Sequence, residues 1–409
     1  MTEKQTTTRK RIYVPYMCDH GYALAAALRA HNLPAEVIEP TTSDTLALGL
    51  HYCIGRECLP CLTTTGDILN RARQPDFDPE QAMIFMPTTG GSCRFGHYNV
   101  LHQTILREEG MGAVEFMSPT ADNSYHGLGD RPTQLRLLIW QGAVAVDLLT
   151  RLLHQYRPYE RHPGQTDQLY RRALDRIIAA IEAGGGKKLV ETMKWVAQQF
   201  EAHPIDTSVQ RPLIGIVGEI YIRMNFHVNQ DIARQVEAVG GEAHFASIIE
   251  WIYYTNWTYK NDTRSIEKAG EHIKAVVSDL YQRYLEHNLL KPVEHLLHHP
   301  HETHTSILMD NLKPYYHPSL ASEAVLSIGA AIDFGKRNFD GIINIMPFAC
   351  MPGVITAGMA PRIRADLDNI PWLDISYDAQ GSTNIKTRLE AFLYQATQFK
   401  RHKAAVAHA

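Results

Sequence analysis

Positive charge is in short supply in this sequence: 40 Lys and Arg face 44 Asp and Glu among its 409 residues, a formal net charge of -4 at pH 7. Without a basic surplus there is little to gather nucleic acid through its phosphates, which argues against that class of partner. Nor is there an uninterrupted apolar run approaching the roughly 18 to 20 residues of a membrane-spanning helix. Met1 to Arg11 is polar and charged and lacks the apolar stretch of a secretion signal. These absences imply a cytoplasmic protein with no membrane partner. In that reducing compartment the six cysteines are expected to serve metal or redox chemistry rather than disulfides. Heptads, short-period repeats and low-complexity tracts are absent too.

What is there is an ordinary globular composition, 44% hydrophobic and 21% charged, in a chain long enough for two cores. Beyond a polar tail at 1–10, the runs Arg11 to Met17 (RIYVPYM), Ala35 to Glu39, Met83 to Pro87 (MIFMP) and Ala113 to Met117 are short, apolar and rich in β-formers. Helix-forming stretches such as Tyr22 to His31 lie between them. Such successions predict a parallel sheet with crossover helices, an α/β domain over 11–132. Over 133–210 the apolar period becomes helical, in Leu135 to His154, Leu169 to Glu182 and Lys187 to Glu201, with Gly184, Gly185 and Gly186 separating the last two. This segment reads as a helical connector. A second series fills 211–409, with strands at Leu213 to Ile222 (LIGIVGEIYI), Glu242 to Phe245, Gly341 to Met346 and Leu373 to Tyr377. A helical region from Asp262 to about His287 and a final helix from Lys386 to Arg401 complete it. The expected fold is α/β, two parallel-sheet units of Rossmann or flavodoxin-like type joined by a helical connector.

The densest chemical signal is Cys53-Ile-Gly-Arg-Glu-Cys58-Leu-Pro-Cys61, three thiols within nine residues, followed by Thr63 to Asp67, which reads as a loop entering a helix. Thiolates are soft ligands suited to iron-sulfur clusters or zinc, and close spacing lets one loop supply several bonds. Cys93 follows the strand at Met83 to Met86, in Thr-Thr-Gly-Gly-Ser-Cys93-Arg-Phe-Gly, where open parallel sheets usually place ligands. Cys350 stands in the same relation to the strand Gly341 to Met346, and Cys18 to the first strand. A structural zinc site would use four ligands, and Cys-x2-Cys is also a zinc spacing; six thiols at strand ends fit a larger cluster, or a cluster plus redox thiols.

The glycine-rich stretch Pro87 to Gly96 matches neither the P-loop pattern G-x-x-x-x-G-K-S/T nor the dinucleotide pattern G-x-G-x-x-G. Gly90, Gly91 and Gly96 are read as letting backbone amides approach cluster sulfurs, with Arg94 adding positive charge; a simple tight turn is the plain alternative. His20, beside Cys18, is a candidate proton donor because imidazole titrates near neutrality. Arg56 and Glu57 are candidates for proton delivery or electrostatic tuning. The group His287, His295, His298, His299, His301 and His304 lacks a matching carboxylate or cysteine pattern, and a solvated surface accounts for it.

At these cysteine segments the sequence resembles the iron-sulfur family that contains 2-hydroxyacyl-CoA dehydratases, benzoyl-CoA reductases and double-cubane cluster proteins, most of all the cluster-binding module of acyl-CoA dehydratase activase-like proteins. The stretches that carry it are Tyr13 to Pro40, Gly55 to Leu69 (GRECLPCLTTTGDIL), Met86 to Tyr98 (MPTTGGSCRFGHY), Ser124 to Glu160, Ile214 to Asn225 (IGIVGEIYIRMN) and Ala324 to Ala396 (including NIMPFACMPG). The resemblance implies that Cys58, Cys93 and Cys350 hold a 4Fe-4S cluster between α/β units and leave one iron open. Cys18, Cys53 and Cys61 depart from the activase-like pattern; with the other three they make the six thiolates that suit a double cubane (8Fe-9S). It also implies a separate ATP-hydrolysing activator as electron donor, a homodimer, and a small or acyl-CoA-type substrate. A non-catalytic electron-transfer subunit and a structural zinc protein are the competing expectations.

Overall fold

A computed structural model describes residues 9–53, 57–90, 93–120, 132–264, 268–320, 322–380 and 384–407. The chain begins as a regular alternation: β1 (Arg11–Val14), α1 (His20–Ala30), β2 (Ala35–Val37), α2 (Ser43–Tyr52), α3 (Leu59–Ala72), β3 (Ala82–Phe85), α4 (Tyr98–Glu108) and β4 (Glu115–Met117). Three long helices follow, α5 (Pro132–Tyr156), α6 (Gln165–Glu182) and α7 (Lys187–Glu201). The second alternation is β5 (Leu213–Gly218), α8 (Ile220–Met224), α9 (Ile232–Ala238), β6 (Glu242–Phe245), α10 (Ile248–Asp262), α11 (Ala269–Leu290), α12 (Thr305–Leu312), α13 (Glu323–Lys336), β7 (Gly341–Pro347), α14 (Met351–Asp366), β8 (Trp372–Tyr377) and α15 (Ile385–Ala407).

The fold is α/β with two all-parallel four-stranded sheets, ordered β2-β1-β3-β4 and β6-β5-β7-β8. The register aligns Ile12 with both Ala35 and Met83, and Ile214 with both Ala243 and Gly341. In each sheet the strand order reverses once, between β1 and β3 and between β5 and β7. Ligands of open α/β sheets bind in the crevice outside the carboxyl ends of the strands at such a reversal. Both crevices are occupied by chemistry-bearing loops. Cys18 follows β1 and Cys93 follows β3; Glu219 follows β5 and Cys350 follows β7.

The strands read as nearly continuous apolar runs because helices cover both faces. Ile12 and Val14 of the first sheet share a core with α1 and with α5, α6 and α7, whereas Tyr13 and Ile84 face α3 and α4. Ile214, Ile216, Ile343 and Ile345 of the second sheet pack on α9 and α15, and that same core takes in Cys53, Leu59 and Leu62 from the first. The two sheet units thus meet through shared apolar packing. A buried polar contact joins them as well, from Asn225 Nδ2 to Thr41 Oγ1 at 3.0 Å.

Several boundaries differ from those expected. The run Leu213 to Ile222 is not one strand: Gly218, at φ +131°, turns the chain, and a Cβ there would lie 1.9 Å from the Ile345 carbonyl oxygen. Thr63 to Asp67 lie inside α3, which already begins at Leu59 with Pro60 in its first turn; proline's fixed φ and missing N–H suit that place. The helix expected from Asp262 starts later, since Asp262 ends α10 and α11 begins at Ala269. One helix is also long and apolar enough by length and composition to cross a membrane, Thr133–Tyr159, and most of it is buried within the protein. Its charged positions Arg136, Asp147 and Arg151 break the apolar run in sequence, so a search for uninterrupted runs passes over it.

Candidate functional site

Three cysteines occupy one local structure. Cys58 is the N-cap of α3 (φ -74°, ψ 156°), Cys93 the N-cap of the turn of 3-10 helix Arg94–His97 that leads into α4 (φ -74°, ψ 131°), and Cys350 the N-cap of α14 (φ -68°, ψ 126°). The extended backbone of an N-cap turns the side chain toward the helix's first unpaired amides. None of the three sulfurs makes a side-chain capping bond. Glu219 has the same backbone shape at the head of α8 but does cap it, accepting from Ile222 N at 2.8 Å.

The three thiols also share one electrostatic neighbourhood. Desolvation pushes the Cys93 thiol up to about 11, although the residue is exposed as a whole, and the Cys350 thiol up to about 12; Glu219, Glu323 and Cys58 push both in the same direction. Cys58 is raised as well, chiefly by burial, against the lowering effects of a Tyr98 hydrogen bond and the Arg94 charge. The phenol of Tyr98 stands directly on the Cys58 sulfur. Beside them is a pair of buried carboxyls: burial moves Glu219 up to about 7, and burial together with Glu219 moves Glu323 well above the usual range. Two like charges in a dry site cannot both be carried, so this pair holds a proton at neutral pH.

The remaining cysteines have other partners. Cys53 and Cys61 hydrogen-bond each other, which lowers Cys53 and raises Cys61, and Glu57 adds negative charge beside both. Both are buried. Cys18 Sγ lies 3.1 Å from His20 Nδ1, and His20 Nε2 lies 3.0 Å from Asp147 Oδ1. The other Asp147 oxygen accepts from Ile249 N at 3.0 Å, so this carboxylate caps α10 from a distant helix. Burial opposes charging of His20, but Cys18 and Asp147 outweigh it and raise the imidazole well above its ordinary value. Burial likewise opposes ionisation of Asp147, and His20 overcomes it, holding the carboxyl below its usual range.

Among the expected glycines, Gly96 donates its N–H to Cys93 O at 3.2 Å and accepts from Thr88 Oγ1 at 3.1 Å, so its backbone is engaged in the turn. A Cβ on Gly96 would lie 2.4 Å from the Thr89 carbonyl oxygen. Gly90 is exposed in the same loop. Gly91 and Arg56 lie outside the described residues. The histidine group is mostly solvated surface: His287, His295, His298, His301 and His304 are exposed, His295 and His298 lying beside Glu201 and Glu242 at 2.5 and 3.3 Å, while His299 is half-buried and stacks on Phe339 at 4.9 Å. Tyr98, Asp147, Glu219, Glu323 and Arg223 are the site residues that sequence reasoning missed. Only position could have found two of them, Tyr98 five residues after Cys93 and Glu219 directly after β5.

Among the described residues no three His, Cys, Asp or Glu side chains converge closely enough to hold a single metal ion. An iron-sulfur cluster makes a different demand, because its own body separates the ligand sulfurs. Cys58, Cys93 and Cys350 are soft donors at three helix heads, with Cys58 within electrostatic reach of the other two and Tyr98 on the Cys58 sulfur. No family model matches the chain, and no curated protein matches it in sequence.

Proposed function

We propose that this chain is a cytoplasmic iron-sulfur redox protein, one that receives low-potential electrons from a separate ATP-hydrolysing activator and reduces a small or acyl-CoA-type substrate. The observation that carries the reading is the common placement of Cys58, Cys93 and Cys350 at helix N-caps in one electrostatic neighbourhood. The sequence resemblance to the 2-hydroxyacyl-CoA dehydratase and benzoyl-CoA reductase family supports it. A bound 4Fe-4S cluster would supply an electron and, at an iron without a cysteine, a Lewis acid.

The chain's own residues would do the rest. The three thiols, held protonated by desolvation, release their protons on taking up metal. Tyr98 and Arg94 stabilise negative charge at Cys58. The Glu219 and Glu323 pair keeps a proton at the carboxyl ends of β5 and β7, where a reduced substrate would need one. Cys53 with Cys61, and Cys18 with His20, are committed to each other in pairs, which favours one cubane over a double one. A homodimer is part of the same proposal.

The test is anaerobic isolation of Cys58→Ser, Cys93→Ser and Cys350→Ser beside Cys18→Ser, Cys53→Ser and Cys61→Ser. The first three are expected to lose the low-temperature EPR signal of the dithionite-reduced protein, and the second three to keep it. Full metal retention by all of the first three would overturn the ligand assignment. Electron uptake with ATP and activator but no turnover of any acyl-CoA or small substrate would instead favour an electron-transfer subunit.

A further inference from the structure

Away from the cysteines, a second feature of the fold has no place in that reading. At the carboxyl ends of β5 and β6 lies a partly open cavity of about 30 Å³, lined by Asp147, Arg151, His154, Arg223 and Ser247 among others. Arg223 lies on α8 and Ser247 heads α10, so both reach the cavity from the loops that leave the two strands. The side chain of Arg223 is 5% exposed, and no described residue gives it a hydrogen bond or an ion pair. Its Nε is buried without a partner, and so are Arg151 Nε, His154 Nε2 and Ser247 Oγ. Four unsatisfied polar atoms around one cavity are unusual, because native proteins pair nearly all buried donors.

The sign of the missing partner follows from what each group offers. Guanidinium nitrogens are donors only, and a hydroxyl at a helix head stands in a positive field. Of the carboxylates close by, Asp147 is already engaged by His20 Nε2 and Ile249 N. Glu302 is paired with Arg151. Glu219, Glu250 and Glu323 also lie near Arg223, whose charge opposes the rise that burial causes in each, but none of these carboxylates forms an ion pair with its side chain among the described residues. His154 is held well below its ordinary value by burial and by Arg157, so it is a neutral imidazole able to donate or accept.

We propose that this cavity is a binding site for a small oxyanion of formate or acetate size, with Arg223 as its principal ligand and Arg151, His154 and Ser247 around it. Size selects the class. A cavity that holds two or three water positions on the scale of about 10 to 15 Å³ each matches a planar three- or four-atom anion. Its location fits too, since ligands of open α/β sheets bind at the carboxyl edge; the first amides of α10 are already capped by Asp147, so the anion would rest on side chains. Because Glu219 stands one helical turn before Arg223, an anion here would sit one residue's reach from the proposed cluster ligands. The site itself does not depend on the cluster being present.

The test uses the full-length protein, isolated anaerobically, and follows its thermal midpoint and the line width of ¹³C-formate by NMR. Formate and acetate are expected to raise the midpoint saturably at constant ionic strength, with phosphate and chloride at least tenfold weaker. Arg223→Met is expected to abolish the effect and Arg223→Lys to restore part of it; should Arg223→Met fail to fold, Ser247→Ala is expected to weaken formate binding several-fold. Saturable broadening of ¹³C-formate in the wild type that is lost in these variants supports the site. Absence of broadening in the wild type, or an equal response in Arg223→Lys, Ser247→Ala and the wild type, overturns it. Formate binding by a wild type that holds no iron and gives no EPR signal would sink the cluster reading alone, and an EPR signal in a wild type that does not broaden formate would sink this one alone.

Discussion

Replacing Asp147 with Asn removes one negative charge from the middle of the protein while leaving the side chain's shape in place, and its cost can be worked out from the structure. Asp147 meets His20 at 3.0 Å and caps α10 through Ile249 N at 3.0 Å. At an effective dielectric near 20, opposite charges about 4 Å apart attract by roughly 4 kcal/mol. Breaking a buried pair by removing one partner costs about 3 to 5 kcal/mol. The Asn amide can still accept from Ile249 N, so Asp147→Asn should cost about 2 to 3 kcal/mol, below that range, and Asp147→Ala the whole of it. The pH dependence follows from the two shifts. His20 is raised in the fold, so its contribution is complete below the ordinary histidine value and disappears as pH rises through the folded one. Asp147 is lowered, so its contribution is complete above the ordinary carboxyl value and disappears as pH falls through the folded one. The gap between wild type and Asp147→Asn should therefore be widest between about pH 4 and 6.5. Urea unfolding at a series of pH values measures it. A gap under about 0.5 kcal/mol at pH 5.5, or one that does not change with pH, would refute the buried ion pair.

Three further outcomes are expected. Gly66→Ala should destabilise by about 1 to 3 kcal/mol in urea unfolding, because its Cβ would lie 1.8 Å from Thr45 O where α2 and α3 cross, and the crowded backbone can yield only by moving. Gly110→Ala, at φ +79° but with nothing within 4 Å of the new Cβ, should cost only the local backbone strain, about 1 kcal/mol. Tyr98→Phe should retain the proposed cluster yet move its midpoint to more negative potential in an EPR-monitored redox titration, because the hydrogen bond to Cys58 is gone; an unchanged potential would place Tyr98 outside the site.

The eight strands among the described residues were legible as short β-rich runs, because strands covered on both faces leave a continuous apolar signature. What misled was local. The run LIGIVGEIYI stays apolar after the strand ends, and only the positive φ of Gly218 and the cap by Glu219 terminate it. Cys93 and Cys350 were legible from their place after a strand and Cys58 from its close spacing with Cys53 and Cys61, whereas the N-cap position that all three share was not. The carboxyl pair Glu219 and Glu323, the relay from His20 to Asp147, and the buried Arg223 were not. Each joins residues many positions apart, and each sits within an apolar pattern that gives its charge no visible purpose.

The most direct measurement on the central claim is the metal and acid-labile sulfide content of anaerobically isolated protein. The account predicts about four irons and four sulfides per chain, bound through Cys58, Cys93 and Cys350. About eight irons would bring Cys18, Cys53 and Cys61 into the ligand set and contradict the single cubane; a colourless protein with one zinc and no labile sulfide would contradict the cluster altogether.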